Sequence, residues 1–371
     1  MPDRIDVVIN GIKISRFKSF TIEADIYTAD HAFSLELAKP ETRIAKGDLC
    51  DIYINNEQVL TGIIEIIKRS YDKSGSSLSI QGRDLMGLLV DSHCEQFVTV
   101  AGKTLSQLAQ MLLKTVPFIN RKNITYQDDV VGKLRSRRHR GGSQGISLVA
   151  MMDSAGTAQR LAQIEPGMTV FECLKMYAAS RGLMFFSLPD GTFVFGRLKV
   201  GGEAAFKITH RMDGKGNNVE QGEETIDISK RYSKVSVIGQ QQGCDAMGMD
   251  ATQIQTRGSV SDPDFPFYKP FVQKNNNDSQ SPALHARLLL EKMRHDGYQL
   301  SYRAAGFSQA GKVWTINELC KVKDEQPEMN IDGTFLIFNR KFTYDRSSGS
   351  QTFIKLGLPG LVSTETLGRK R

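Results

Sequence analysis

One pattern occurs twice in this sequence, once near each end. Leu49-Cys50 precedes the alternating run Ile52-Tyr53-Ile54, and Leu319-Cys320 precedes Val322. A strand entered through glycine follows in each copy, Gly62-Ile63-Ile64 in one and Gly333-Thr334-Phe335-Leu336 in the other. Each strand leads into the same turn chemistry, Tyr71-Asp72-Lys73-Ser74-Gly75-Ser76 and Tyr344-Asp345-Arg346-Ser347-Ser348-Gly349-Ser350. Leu78-Ser79-Ile80 and Phe353-Ile354-Lys355 then continue as strands. A repeat of this kind requires two similar units, with everything between them inserted. The plain alternative is a common hairpin turn that recurs for backbone reasons. The sharper reading is two related small β-barrels in one chain. Three such chains would close a ring of six similar units, pseudo-six-fold in a three-fold molecule.

The fold class predicted is mainly β with an α+β insertion: two related small β-barrel domains plus a middle α+β domain. Residues 1–95 form the first barrel. Phe33, Leu35 and Leu37 alternate with polar residues, as do Ile52 and Ile54, and Leu60, Gly62, Ile64 and Ile66 mark a longer strand. Residues 96–200 change to helical spacing. Thr104 and Thr169 each stand three residues before Gln107 and Glu172, the pattern of a capping box. A hairpin over 183–195 turns at Pro189-Asp190-Gly191, and a polar, basic loop spans 128–165. The second barrel is expected over 201–240 and 298–360, with an insertion over 241–297. That insertion holds an aromatic and proline-rich segment and a helix opening at Ser281-Pro282. Residues 361–371 read as a polar basic tail.

Hydrophobic residues make up 40% of the 371, enough to build cores and to exclude a wholly disordered chain. No apolar run is long enough to span a membrane. The N-terminal residues lack a signal-peptide pattern, so export by the general secretory route is not expected. The net charge of +7 is local rather than general. Lys133, Arg135, Arg137, Arg138 and Arg140 form one patch and Arg369, Lys370 and Arg371 another. Setting those eight aside leaves 40 basic against 41 acidic residues. This argues against a protein that coats nucleic acid with its whole surface. The five cysteines contain no CxxC, which argues for reduced, buried thiols over a disulfide framework or zinc ribbon.

Catalytic, cofactor and metal sites are all expected to be absent. Gly141-Gly142-Ser143-Gln144-Gly145 fits the nucleophile-elbow string, but an arginine-rich loop precedes it where a strand is required. A hydrolase acting through Ser143 is therefore the weakest reading. The six histidines are scattered without ligand spacing. The acidic pairs Asp128-Asp129 and Asp324-Glu325 read as solvated turns. The candidate contact segments are Arg135, Arg137, Arg138 and Arg140 on the basic loop, and Phe265, Phe267, Tyr268 and Phe271 in the aromatic segment. The first lacks interleaved aromatics for base stacking and suits a solvated loop or an acidic neighbour. The second is costly to leave in water and suits packing on a partner or an adjacent domain.

From Tyr268-Lys269-Pro270 through Ala286-Arg287 to Gly311-Lys312-Val313-Trp314-Thr315-Ile316-Asn317 and the Tyr344 turn, the sequence resembles the late-control tail proteins of contractile-tail bacteriophages. Taken over most of residues 1–360, it is similar to the central baseplate hub proteins of Mu-like phages, a family related to type VI secretion spike hubs. The resemblance rests on order and spacing. It implies a homotrimeric hub, assembled in the bacterial cytoplasm and resident in the virion tail. The hub would join the six-fold tail tube to a three-fold spike, with DNA passing transiently through its channel. It also implies that Trp314 and Phe335 lie in a barrel core. Separately, Glu165-Pro166-Gly167-Met168-Thr169-Val170 resembles the opening of a LysM-type peptidoglycan-binding module. A peptidoglycan- or nucleic-acid-binding module of an injection apparatus is the alternative function.

Overall fold

The structure is a computed structural model that describes residues 3–14, 17–37, 44–73, 75–99, 103–119, 124–126, 163–164, 166–180, 183–241, 254–275 and 282–359. The first β region holds β1 (Ile5–Ile9), β2 (Ile12–Ile14), β3 (Phe17–Asp25), β4 (Ala32–Leu37), β5 (Leu49–Ile54), β6 (Glu57–Asp72) and β7 (Gly75–Asp84). A middle region follows: α1 (Met86–Asp91), β8 (Val98–Thr99), α2 (Leu105–Leu112), β9 (Thr125–Tyr126), β10 (Gln163–Ile164), α3 (Val170–Ser180), β11 (Met184–Ser187) and β12 (Phe193–Gly196). Then come β13 (Phe206–His210), β14 (Gln221–Ile226), β15 (Lys234–Gln241), β16 (Ile254–Ser261), β17 (Pro270–Asn275) and α4 (Pro282–Asp296). The chain closes with β18 (Tyr298–Ala305), β19 (Ser308–Gln309), β20 (Lys312–Val313), β21 (Glu318–Asp324), β22 (Ile331–Asp345) and β23 (Gly349–Gly357).

The two ends of the chain share one strand order. Hydrogen-bonded neighbours run β3-β4-β7-β6-β5-β1 in the first copy and β14-β18-β23-β22-β21-β13 in the second. Each position in one list has the same rank along its own copy as its counterpart in the other. Loop geometry repeats as well. Gly47, at φ 84°, donates its N–H to Ile64 O at 2.7 Å, and Asn317, at φ 58°, donates to Ile337 O at 2.9 Å. One difference is that β1 runs antiparallel to β5, whereas β13 runs parallel to β21. The copies join through β3 and β22 into a single 13-stranded sheet. Among the described residues the strand pairings close neither copy into a ring.

Burial follows the period of two. Phe33, Leu35 and Leu37 are buried in β4, and Ile52 and Ile54 in β5. Ile66 departs from the expected pattern and is 46% exposed. A bulge between Ile64 and Ile66 shifts the register, and Ile67 packs on the core in its place. An extra residue reverses every later side chain, and composition alone does not show it. Trp314 lies at 2% exposure, stacked on Phe206 at 4.5 Å, and Phe335 packs in the same core.

The middle helices begin where the capping boxes predict. Thr104 accepts from Gln107 N and Thr169 from Glu172 N, while Gln107 and Glu172 accept from the backbone N–H groups of their cap residues. The hairpin β11–β12 packs Phe186 and Val194 against Leu319, Leu336 and Phe338, which fastens the middle region to the second copy. Asp84, at the end of β7, fastens it to the first. It accepts from Ser187 Oγ at 2.5 Å and Met86 N at 3.2 Å, and lies 3.4 Å from His31 Nδ1.

The strand at 234–239, expected in the second barrel, pairs instead with β16 and β17 in a separate three-stranded sheet. The helix α4 covers this sheet, with Ala286 and Leu290 buried against Val235 and Val237. The unit enters between β14 and β18, the place taken in the first copy by the short turn between β3 and β4. Its helix approaches so closely that a Cβ on Gly258 would fall 2.2 Å from Ala283 N. Asp262 is buried between Arg231, at 2.8 Å, and Arg294. Burial alone would raise its pKa, but the bonds from Arg294 and Arg231 win and hold it at about 2.

Two outcomes follow from these contacts. Gly258→Ala should lift the first turn of α4 and cost about 1–3 kcal/mol in a denaturant titration, as overpacking does; an unchanged midpoint would refute the close approach. The second concerns pH. Burial raises Asp84 from 3.8 to about 7, so the folded chain keeps a proton that the unfolded chain releases, and stability falls as pH rises across that interval. Burial, aided by the Arg340 charge, lowers His31 from 6.5 to about 4, which acts in the opposite sense between those values. Burial lowers His285 and His295 as well, so all three histidines add stability as pH rises through their unfolded value of 6.5 and overlap the Asp84 effect. Thermal melts should therefore show the Tm of Asp84→Asn rising more steeply with pH than that of wild type between 3.8 and about 7, and parallel slopes would refute the raised carboxyl.

Candidate assembly interface

The seam between the two copies shows how sheets of this chain join. The first half of β22, Ile331 to Ile337, pairs with β21. A bulge between Ile337 and Asn339 marks the change of partner, and Asn339 to Asp345 then pair with Asp25 to Ser19 of β3. Tyr344 stacks on Phe20, directly opposite, with centroids 5.6 Å apart. Asn339 Nδ2 donates to Glu23 Oε1 at 3.1 Å and Asp25 Oδ2 at 2.9 Å. Arg340 is buried with its guanidinium 4.1 Å from the Phe342 ring centroid, and its Nη2 donates to Val59 O at 3.4 Å across to β6. Burial pulls its pKa down to about 9. Its Nε and Nη1 have no hydrogen-bond partner among the described residues.

The equivalent positions on the outer margins of the two copies lack such a seam. Like β22, β6 pairs over its first half, from Glu57 to Ile63, with the strand before it. Beyond Ile64, among the described residues, no strand pairs with its second edge. This half carries Ile66, Lys68, Arg69 and Tyr71, and Tyr71 is 92% exposed. Arg69 Nη2 donates to Ile44 O at 2.9 Å. At the far end of the sheet, β14 has β18 on one side and no described strand on the other. It carries Glu223 and Glu224, and Ile226 is 68% exposed. Unpaired N–H and C=O groups on a strand edge are a template for another strand. One edge here is basic and the other acidic, and each exposes apolar side chains.

A cleft of about 380 Å³ opens beside β14, lined in part by His210, Val219, Gly222, Asp324 and Met329. Asp324 is buried at its floor. Its Oδ1 lies 2.9 Å from His210 Nδ1, and Tyr302 Oη donates to its Oδ2 at 3.1 Å. Burial, with the Asp324 charge, pushes the Tyr302 hydroxyl well above its ordinary pKa.

The residues singled out in the sequence fall in three places. Arg135, Arg137, Arg138, Arg140 and Ser143 lie outside the described residues. The aromatic segment divides: Phe265 is buried and Phe271 packs on Tyr232 at 5.0 Å, whereas Phe267 and Tyr268 are 56% and 79% exposed. Trp314 and Phe335 belong to the main core. A buried serine, histidine and aspartate do meet, but Ser187 donates to Asp84 rather than to His31, so the base needed to activate the hydroxyl is missing. No group of acidic, histidine or cysteine side chains among the described residues has metal-site geometry. The sequence reading missed the edges of β6 and β14. The exposed Ile66, Tyr71 and Ile226 were the available signal, but only the pairing shows them to be on edges.

Comparison with known proteins agrees with this architecture. Residues 4–84 match the family described as Mu phage baseplate assembly protein GpP-like, N-terminal. Over 335 residues the chain is 22% identical to the baseplate hub protein gp44 of Escherichia phage Mu, covering 87% of this chain and 79% of that protein. The tail protein from Neisseria meningitidis MC58 superposes with a TM-score of 0.75 at 23% identity, covering 96% of this chain and 97% of that one. A 43 kDa tail protein of prophage MuSo2 from Shewanella oneidensis gives 0.72 at 22% identity, with coverages of 96% and 98%. At these identities the structural likeness establishes a shared fold.

Proposed function

We infer that this chain is a baseplate hub protein of a Mu-like tail, and that three copies close into a ring. The observation that carries the reading is the pair of free edges on a chain that already joins two like units by one seam. The edge of β6 corresponds to the paired edge of β22, and β14 corresponds to β3. One protomer therefore offers both halves of a second seam, on opposite margins, and cannot pair them with each other. A head-to-tail contact of this kind makes a ring when its rotation closes. Three protomers give six similar units, which suits a six-fold tail tube on one face and a three-fold spike on the other. DNA would leave through the central channel.

In this role the protein is structural, assembled in the bacterial cytoplasm and carried in the virion. The two units sharing a strand order serve as the ring domains. The middle α+β region and the β15–β17 unit with α4 stand as insertions, and Phe267 and Tyr268 supply a contact surface on the latter. The arginines at 135, 137, 138 and 140 are proposed as a contact segment for an acidic neighbour.

Light scattering after size-exclusion chromatography tests the ring. A species near three times 41.3 kDa is expected, its population rising with protein concentration. A mass that stays at one chain across the accessible range would overturn it.

A further inference from the structure

Resting on the ring reading, we propose that β6 of one copy pairs antiparallel with β14 of a second copy in a single register that places Tyr71 in the cleft beside Gly222. The register comes from the seam inside the chain. Tyr71 lies opposite Ser76 and Ile67 opposite Ile80; Tyr344 lies opposite Ser350 and Arg340 opposite Ile354. Tyr71 thus corresponds to Tyr344, and Ile80 to Ile354. The next strands place Leu35 against Ile80 and Tyr302 against Ile354. Their outer neighbours are Phe20 and Gly222. Phe20 faces Tyr344 in the seam, so Tyr71 faces Gly222 of the second copy.

The side chains meet well in this register. On the core face Arg69 falls opposite Glu224 and Ile67 opposite Ile226. On the other face Lys68 meets Thr225 and Ser70 meets Glu223. One basic side chain, Arg69, therefore meets an acidic one, Glu224, and Ile226 gains cover.

The substitution of glycine for phenylalanine at the central pair explains the cleft. In the inner seam Phe20 and Tyr344 stack ring on ring. Position 222 has no side chain, and a Cβ there would lie 2.8 Å from the Tyr302 ring. Directly opposite residues of an antiparallel pair project to the same face. The Tyr71 ring of one protomer therefore lies over Gly222 of the next, on the side where Tyr302 and Asp324 of that next protomer lie and the cleft opens. Asp324 and His210 offer polar partners to its hydroxyl. A side chain 92% exposed in the single chain thereby acquires a receptor.

Paired cysteines and charge exchange test this register. Ser70→Cys combined with Glu223→Cys should give interchain disulfides on a non-reducing gel, because facing residues in such a pair have Cα atoms within disulfide reach. Ser70→Cys with Thr225→Cys, two residues out of register, should give far less. Arg69→Glu and Glu224→Arg should each raise the concentration for half-assembly by about tenfold, corresponding to about 1.4 kcal/mol, and the double variant should recover most of that. Tyr71→Ala should weaken assembly by a similar factor without changing the protomer's melting. Three-chain particles with no preferred cross-link and no rescue would overturn the register and leave the ring standing. A protein that stays monomeric would overturn both.

Discussion

Every backbone N–H and C=O on a strand edge needs a partner, and β22 meets that demand with three neighbours. Its 15 residues pair with β23 along one edge, and with β21 and then β3 along the other. The handover at the Ile337–Asn339 bulge lets two like sheets become one. Arg340 beyond the bulge carries its charge into the interior and reaches back to β6, so the first copy also packs on this strand. Loss of the seam would separate the copies and expose two more edges.

Both insertions respect this arrangement. The middle region enters after β7 and leaves before β13, and the β15–β17 unit enters between β14 and β18. Neither interrupts β21, β22 or β23. Each is fastened by its own contacts: the middle region by Asp84 and the packing of Phe186 and Val194, the smaller unit by Asp262 between two arginines and by the close approach at Gly258. Extra material hangs on the repeated sheet without supplying any of its strands.

Much of this was legible in the sequence because it is local. The capping boxes at Thr104 and Thr169, the turn at Asp190-Gly191 and the alternation in β4 and β5 depend on residues close along the chain. The repeat was legible through its turns, since Tyr71 and Tyr344 close equivalent hairpins. Other features were not. Ile66 appeared to continue an inward row, and one bulged residue turned it outward. The strand at 234–239 has the pattern of any half-buried strand, and only its partners assign it to the smaller sheet. The free edges of β6 and β14 are relations among strands far apart in sequence. Composition marks them faintly, as exposed isoleucines and opposed charges.

The seam also sets an order in time. The residues of β3 leave the ribosome long before those of β22, which lie more than 300 positions later. Until then the nascent first copy has β4 on one side of β3 and nothing on the other. Pairings this distant form late and slowly, and an open edge held that long invites aggregation on crowded polysomes. Synthesis of the C-terminal hairpin is thus the event that shields the N-terminal half, and a chain truncated before β22 would be a hazard rather than a smaller stable protein.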